Sequence, residues 1–347
     1  MVATAIQPVS GRINPLDGIG MVGGRDSLSC LQAAGMDFNV GLYPVRNAIT
    51  GNVILGAPRI DPKTKLELDP EPRYFQVIRE DTQQVLGQVE SRYAVQQNRN
   101  IFAVADELQS AGWKIVRAAT LDKGARCFMT LEMDHKNDLS VIGDIVRMRI
   151  VIHTSHDGKF ATTMTVLPLR LWCLNGCSAP IPGFDWTWAI RHTVKGEEKL
   201  MEVNEMLSRA EGYFGAFERV ATAMAQTSIT VPHAETIIKT TKGLDNDDSK
   251  QQLAKRGLIL DGFRGGQPGA TSEALNGTAW GLFQSYCDVA DHGETSRVRV
   301  TPGNSAEDQR FKQAFGGAGK AFKFNGWDRI VSDEDLGLDL KAIATSN

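Results

Sequence analysis

The chain has 347 residues, 42% of them hydrophobic and 23% charged, which is the mix of a folded protein and excludes a wholly disordered one. Lys and Arg total 38 against 41 Asp and Glu, so the net charge of -3 excludes a wholly basic nucleic-acid coat while allowing a local basic face. No apolar run approaches the ~18 residues of a membrane helix, because the longest, Val141 to Val151, is cut by Asp144, Arg147 and Arg149. Met1 to Ser10 lack a basic start followed by an apolar block, so no secretory signal is expected. The scattered cysteines Cys30, Cys127, Cys173, Cys177 and Cys287 predict reduced thiols and a cytoplasmic setting.

Residues 1–72 are rich in Gly, Pro and Asn and read as an extended arm. Residues 73–230 read as an antiparallel α+β core. Tyr74–Ile78 and Val85–Val95 flank the polar turn Asp81–Gln84. A helix capped by Asn98 or Asn100 follows, with Ile101, Val104, Ala105, Leu108 and Ala111 on one face and Gly112 at its end. Lys114–Leu121 and Ala125–Met133 form a second hairpin around Asp122-Lys123-Gly124. Ile145–Thr154 and Phe160–Trp172 form a third around Ser155-His156-Asp157-Gly158. Glu197 to Ala225 carries an apolar stripe at helical spacing, from Leu200 through Phe214 and Phe217 to Met224, and predicts one long helix. Residues 231–293 read as a helical subdomain, with helices from Pro232, over Ser249–Phe263, and over Thr278–Asp291. Residues 294–347, apart from a helix cap at Ser305–Asp308, read as a flexible tail.

Several motifs fail on their context. Gly18-Ile19-Gly20-Met21-Val22-Gly23 has dinucleotide-binding spacing, but Gly11–Pro15 ahead of it cannot be a central strand. Gly316–Lys320 lacks the first glycine and the hydroxyl of a phosphate loop. His153, His156, Cys173 and Cys177 are metal-capable, yet the hairpin register expected from Asp-Gly puts His153 and Cys173 on opposite faces. Ser155-His156-Asp157 are consecutive and cannot align as a triad. Nothing in the sequence argues for an enzyme or requires a cofactor.

The third hairpin carries the constellation that remains. With odd positions paired to even ones, one face holds Arg147, Arg149, Val151 and His153 with Phe160, Thr162, Met164, Val166, Arg170 and Trp172. The other holds Met148, Ile150, Ile152, Thr163, Thr165, Leu167, Leu169 and Leu171, and reads as core. Phe184, Trp186 and Trp188 follow, then Arg191, His192 and Lys195. Between Ser140 and Lys195 six basic residues face three acidic ones, whereas Glu202 to Glu294 has eight basic and thirteen acidic. Arginines interleaved with aromatics suit single-stranded nucleic acid, since guanidinium groups hold phosphates and rings stack bases. A protein-docking surface and an undetected enzyme are the alternatives.

Val77–Thr82, Ser91-Arg92-Tyr93, Gln97-Asn98-Arg99, Ser155–Gly158, Leu167–Asn175, Ile190–Thr193 and Gly277–Leu282 resemble the phage/plasmid-like family called domain of unknown function 932, over about Gly35 to His292. Thr154 stands where that family often has Asn. The resemblance implies a mobile genetic element and no established reaction. The order of strands and helices is also similar to that of single-strand annealing proteins, in which a sheet and a long helix frame a basic groove in a ring or filament. The expectation is therefore a cytoplasmic homo-oligomer that binds single-stranded DNA without sequence preference and anneals it. Arg147, Arg149, Lys159, Arg170, Arg191 and Lys195 would hold phosphates, Phe160 and Trp172 would stack bases, and His153 and His192 would orient the strand.

Overall fold

A computed structural model describes residues 21–22, 26–133, 146–170, 175–193, 203–265, 275–292 and 317–346. The glycine motif from Gly18, the cap at Ser305 and the glycine run from Gly316 fall wholly or partly outside them. The chain is α+β with antiparallel sheets and a helical C-terminal part, as expected.

Strand β1 (Met21–Val22) precedes helix α1 (Ser27–Ala33), which Asp26 caps by accepting from the Ser29 amide. Cys30, Leu31, Met36 and Phe38 are buried, so this part of the expected arm belongs to the core. Strand β2 (Val40–Pro44) leads to an exposed pair, β3 (Arg59–Ile60) and β4 (Glu67–Leu68). Strands β5 (Tyr74–Arg79) and β6 (Gln84–Glu90) flank the expected turn and join β2 in a three-stranded sheet ordered β2-β5-β6.

The helix expected next is two, α2 (Asn98–Phe102) and α3 (Val104–Ser110), which bury Ile101, Val104, Ala105 and Leu108. Ala111 is exposed, and Gly112 ends the helix at φ +94. Neither asparagine caps it. Gln97 takes the cap position, and the buried Asn98 side chain donates instead to the Met36 carbonyl at 2.8 Å. Then come β7 (Trp113–Leu121), β8 (Arg126–Met133), β9 (Val146–Ser155), β10 (Thr162–Arg170), β11 (Asn175–Gly176) and β12 (Thr187–Ile190). They form a seven-stranded sheet ordered β1-β7-β8-β9-β10-β11, with β12 also on β10.

The register of β9 with β10 differs from the expected one by a residue. His153 faces Thr163, Val151 faces Thr165 and Arg149 faces Leu167, so odd positions pair with odd. A one-residue shift moves a strand's whole side-chain set to the other face. Thr163, Thr165, Leu167 and Leu169 therefore share the face of Arg147 and Arg149, while Thr162, Met164 and Val166 join Met148, Ile150 and Ile152. The cause is a connection wider than an Asp-Gly turn: His156 is drawn into the core and lengthens it. The aliphatic face packs into the main core with Tyr213, Phe214 and Phe217. The arginine face is not a wet surface either, for Phe128, Val151 and Leu167 form a second buried cluster there with Ala119 and Leu121.

The long helix α4 (Val203–Gln226) buries Ala210, Phe214, Phe217, Ala221 and Met224, the expected stripe, and Leu200 lies outside the described residues. Helix α5 (Val231–Thr240) is capped by Thr230, and α6 (Lys250–Phe263) by Ser249. Helix α7 (Ala279–His292) is buried along nearly its whole length. The expected flexible tail is instead ordered over 317–346. Helix α8 (Ala318–Val331) packs on α7, and α9 (Leu340–Thr345) packs on α4. Trp327, Ile330 and Ala344 are buried in the same core as the sheet.

Candidate nucleic-acid interface

The third hairpin's connection folds back onto β6. A Cβ added at Gly87 would stand 2.7 Å from the Asp157 Cα and 2.8 Å from its carbonyl oxygen, so turn and strand meet backbone to backbone. Gly158 sits at φ +73 against Val89. Gly87→Ala must push the turn away, and is expected to cost ~1–3 kcal/mol in urea unfolding; an unchanged midpoint would mean that the turn shifts without loss.

Beneath the turn lies a buried polar layer. His156 has no exposure, and because the Asn98 amide already donates to Met36, its Oδ1 accepts from His156 Nε2 at 2.9 Å. Burial pushes the His156 pKa down to about 3. Thr162 donates to Gln96 Oε1 at 2.8 Å and lies 2.9 Å from the Thr154 hydroxyl. His192 stacks under Tyr93 at a 5.0 Å centroid distance, and burial lowers its pKa to about 4. His153 is likewise lowered to about 4 by burial. All three imidazoles are neutral near pH 7, so they position the turn and add no charge.

Above this layer is an open cleft of about 610 Å³. Its walls are Tyr74 and Gln88–Glu90 of the small sheet with Arg92 and Tyr93, then Gly158–Ala161 of the turn, then Arg191–Thr193 after β12. Arg92, Lys159 and Arg191 are exposed, and no ion pair joins them to a carboxylate among the described residues. Asp157, the nearest acid of the turn, is occupied: it accepts from Ser155 Oγ, the Lys159 amide at 3.0 Å and Arg126 at 3.4 Å. Phe160 is 40% exposed at the mouth. Three exposed cations around aromatic rings, with Glu90 the acid of the same wall and no ion pair to it among the described residues, can hold a phosphodiester strand and stack its bases.

Of the residues expected to grip a strand, the cleft gathers Lys159, Phe160, Arg191 and His192. His153 touches the group from behind, edge-on to Phe160 at 6.1 Å. Arg147 and Arg149 do not join them. They lie toward the far end of β9, up to about 20 Å away at ~3.3 Å per residue, and both bind Glu132 of β8 at 2.8 Å. Arg149 is only 7% exposed. Arg170 ends β10 opposite Val146, at the same far end. Trp172 and Lys195 lie outside the described residues. The single platform of cations and rings expected along Ile145–Trp172 is thus divided by register and by ion pairing.

Sequence reasoning passed over Arg92, Tyr93, Tyr74 and Arg126. The first two stand in the Ser91-Arg92-Tyr93 motif, directly after the β6 strand whose edge becomes the wall; that was the available signal. The aromatic segment Phe184–Trp188 is partly buried against the core, with Trp186 edge-on to Phe324 at 5.4 Å, so it is not a free docking strip. Among the described residues the suspected zinc ligands form no metal cluster: His156 is held by Asn98 and Cys177 by Gln284, while Cys173 lies outside them. The described cysteines, Cys30, Cys127, Cys177 and Cys287, are all buried. His233, Asp333 and Asp335 do cluster, but His233 and Arg329 already occupy Asp333 at 2.9 Å each. No described helix is long and apolar enough to cross a membrane.

Comparison with known families matches residues 85–314 to DUF932, described as a domain of unknown function. No curated protein and no solved structure matches the chain.

Proposed function

The chain belongs to the DUF932 family, whose description as a domain of unknown function assigns no reaction, and from its own residues we propose that it binds single-stranded DNA in the cleft between β6 and the β9–β10 turn. The observation that carries this reading is the trio Arg92, Lys159 and Arg191, exposed around Tyr74, Tyr93 and Phe160 and in no ion pair among the described residues. Phosphates bind the cations, bases stack on the rings, and the contact is indifferent to sequence at the level of charge. In this reading the protein acts in the cytoplasm of a cell carrying a phage or plasmid. Several copies assemble so that their clefts line up, and an open cleft leaves bases able to pair with a second strand, which is annealing.

Fluorescence anisotropy with a labelled oligonucleotide across a salt series tests the reading. Log affinity should fall linearly with log salt, and replacing Arg92, Lys159 and Arg191 together by Ala should flatten the slope by about 2, at ~0.7 per phosphate on a single strand. Arg147→Ala with Arg149→Ala, which removes both partners of Glu132, is the comparison and should leave the slope nearly unchanged. Absence of binding at micromolar protein in low salt, or a slope untouched by the triple variant, overturns the reading. Native mass with and without oligonucleotide reports the assembly.

A further inference from the structure

Resting on the strand-binding reading, we propose that the cleft favours purines, because its ring platforms are backed by cations that lie outside it. Phe160 lines the cleft, whereas Arg126 does not, and the Arg126 guanidinium carbon sits 4.4 Å from the Phe160 centroid. Arg126 therefore covers the inner face of the ring and leaves the outer face to the cleft. Its side chain is 14% exposed and is fixed by Asp157 at 3.4 Å and Asp122 at 3.8 Å, so it is poorly placed to reach a phosphate. His153 closes one flank of the same ring at 76°. The opposite wall repeats the device: Tyr74 lines the cleft, and Arg73, outside it, lies 5.0 Å from the Tyr74 centroid.

A cation against one face of an aromatic ring draws π density toward itself. The free face becomes less negative, and the repulsion between stacked π clouds falls most for a partner that is large and electron-rich. Among nucleobases those are the purines, which also cover more of the ring. Arg126 is thus a specificity-determining residue acting through Phe160, and the phosphate-holding cations of the cleft are separate from it.

The test compares a short labelled oligothymidylate with the same oligomer carrying two adjacent 2-aminopurines, read by anisotropy for affinity and by 2-aminopurine fluorescence for stacking. The wild type should bind the purine-bearing strand roughly threefold or more tighter and change its fluorescence, a part of the stacking free energy a single base supplies. Phe160→Leu, at an exposed position, should narrow the gap between the two affinities, leaving only what the Tyr74 platform supplies. Arg126→Met should narrow their ratio while leaving oligothymidylate binding in place. Equal affinity of the wild type for both strands overturns the purine preference and leaves strand binding standing; failure to bind either strand overturns both. A preference undiminished by Phe160→Leu also removes the proposal.

Discussion

Asp291→Ala is expected to destabilise the protein by ~3–5 kcal/mol, the cost of leaving a buried charge without its counter-ion. Lys323 of α8 is 5% exposed, and its ammonium contacts Asp291 of α7 at 2.6 Å and the Gly176 carbonyl of β11 at 2.9 Å. The Gly176 amide donates in turn to Asp291 at 3.0 Å, so one ion pair joins two helices and the sheet's end strand. Burial alone would lower the Lys323 pKa, but Asp291 outweighs it and holds the ammonium above its ordinary value. Removing only the carboxylate leaves that charge stranded. Exchanging both partners, with Asp291→Leu and Lys323→Met, should recover most of the loss, since an apolar pair of similar volume avoids the desolvation of both ions. Urea unfolding of the single and double variants decides it. A single variant within ~1 kcal/mol of the wild type would show that water reaches Lys323 and that the pair is not an internal strut.

This junction also shows why the C-terminal helices were illegible in the sequence. The buried face of α8 is Lys323, Gly326, Trp327 and Ile330, which has perfect helical spacing but only two apolar side chains large enough to register as a stripe. Gly326 is there because a Cβ would stand 2.5 Å from the Tyr286 ring, and Lys323 is there for Asp291; both reasons lie in other elements. The hairpins and the long helix were readable because their information is local: alternation, a polar turn, and an apolar stripe from Ala210 through Phe214 and Phe217 to Met224, about four turns of α4. Register was not local. It turned on whether His156 belonged to the turn or to the core, and that depended on Asn98, 58 positions away. The same holds for the arginines. Arg147 and Arg149 do share a face of β9 as expected, but Glu132 stands on the neighbouring strand, and alternation within one strand cannot reveal it. The cleft was half legible: Lys159, Phe160, Arg191 and His192 came from one stretch of chain, and the wall that completes it came from β6.

Stability is expected to fall steeply as pH drops from 7 to 5, and the buried histidines set that slope. His156, at 0% exposure, and His192, at 7%, have folded-state pKa values of about 3 and about 4, both lowered mainly by burial; His153, lowered to about 4 in the same way, adds to them. In the unfolded chain each imidazole titrates near 6.5. Above that pH neither state is protonated and the stability is complete. Below it the unfolded state takes up protons that the native state refuses, so stability is lost progressively until the folded pKa is reached. Each fully buried histidine contributes up to about 1.4 kcal/mol per pH unit to the slope. Carboxylates act in the same direction but lower: Arg99 holds Asp37 down, Arg79 holds Asp81 and Arg256 holds Asp247, so their loss begins beneath the histidine window. The interval from pH 7 to 5 therefore isolates the imidazoles. His156→Gln, whose side-chain amide can still donate to Asn98 Oδ1, should reduce the slope of unfolding free energy against pH by roughly one histidine's share, whatever its effect at pH 7. An unaltered slope in that variant, or a flat wild-type profile across the interval, would mean that water reaches these rings and that the turn over the cleft is not anchored by neutral imidazole.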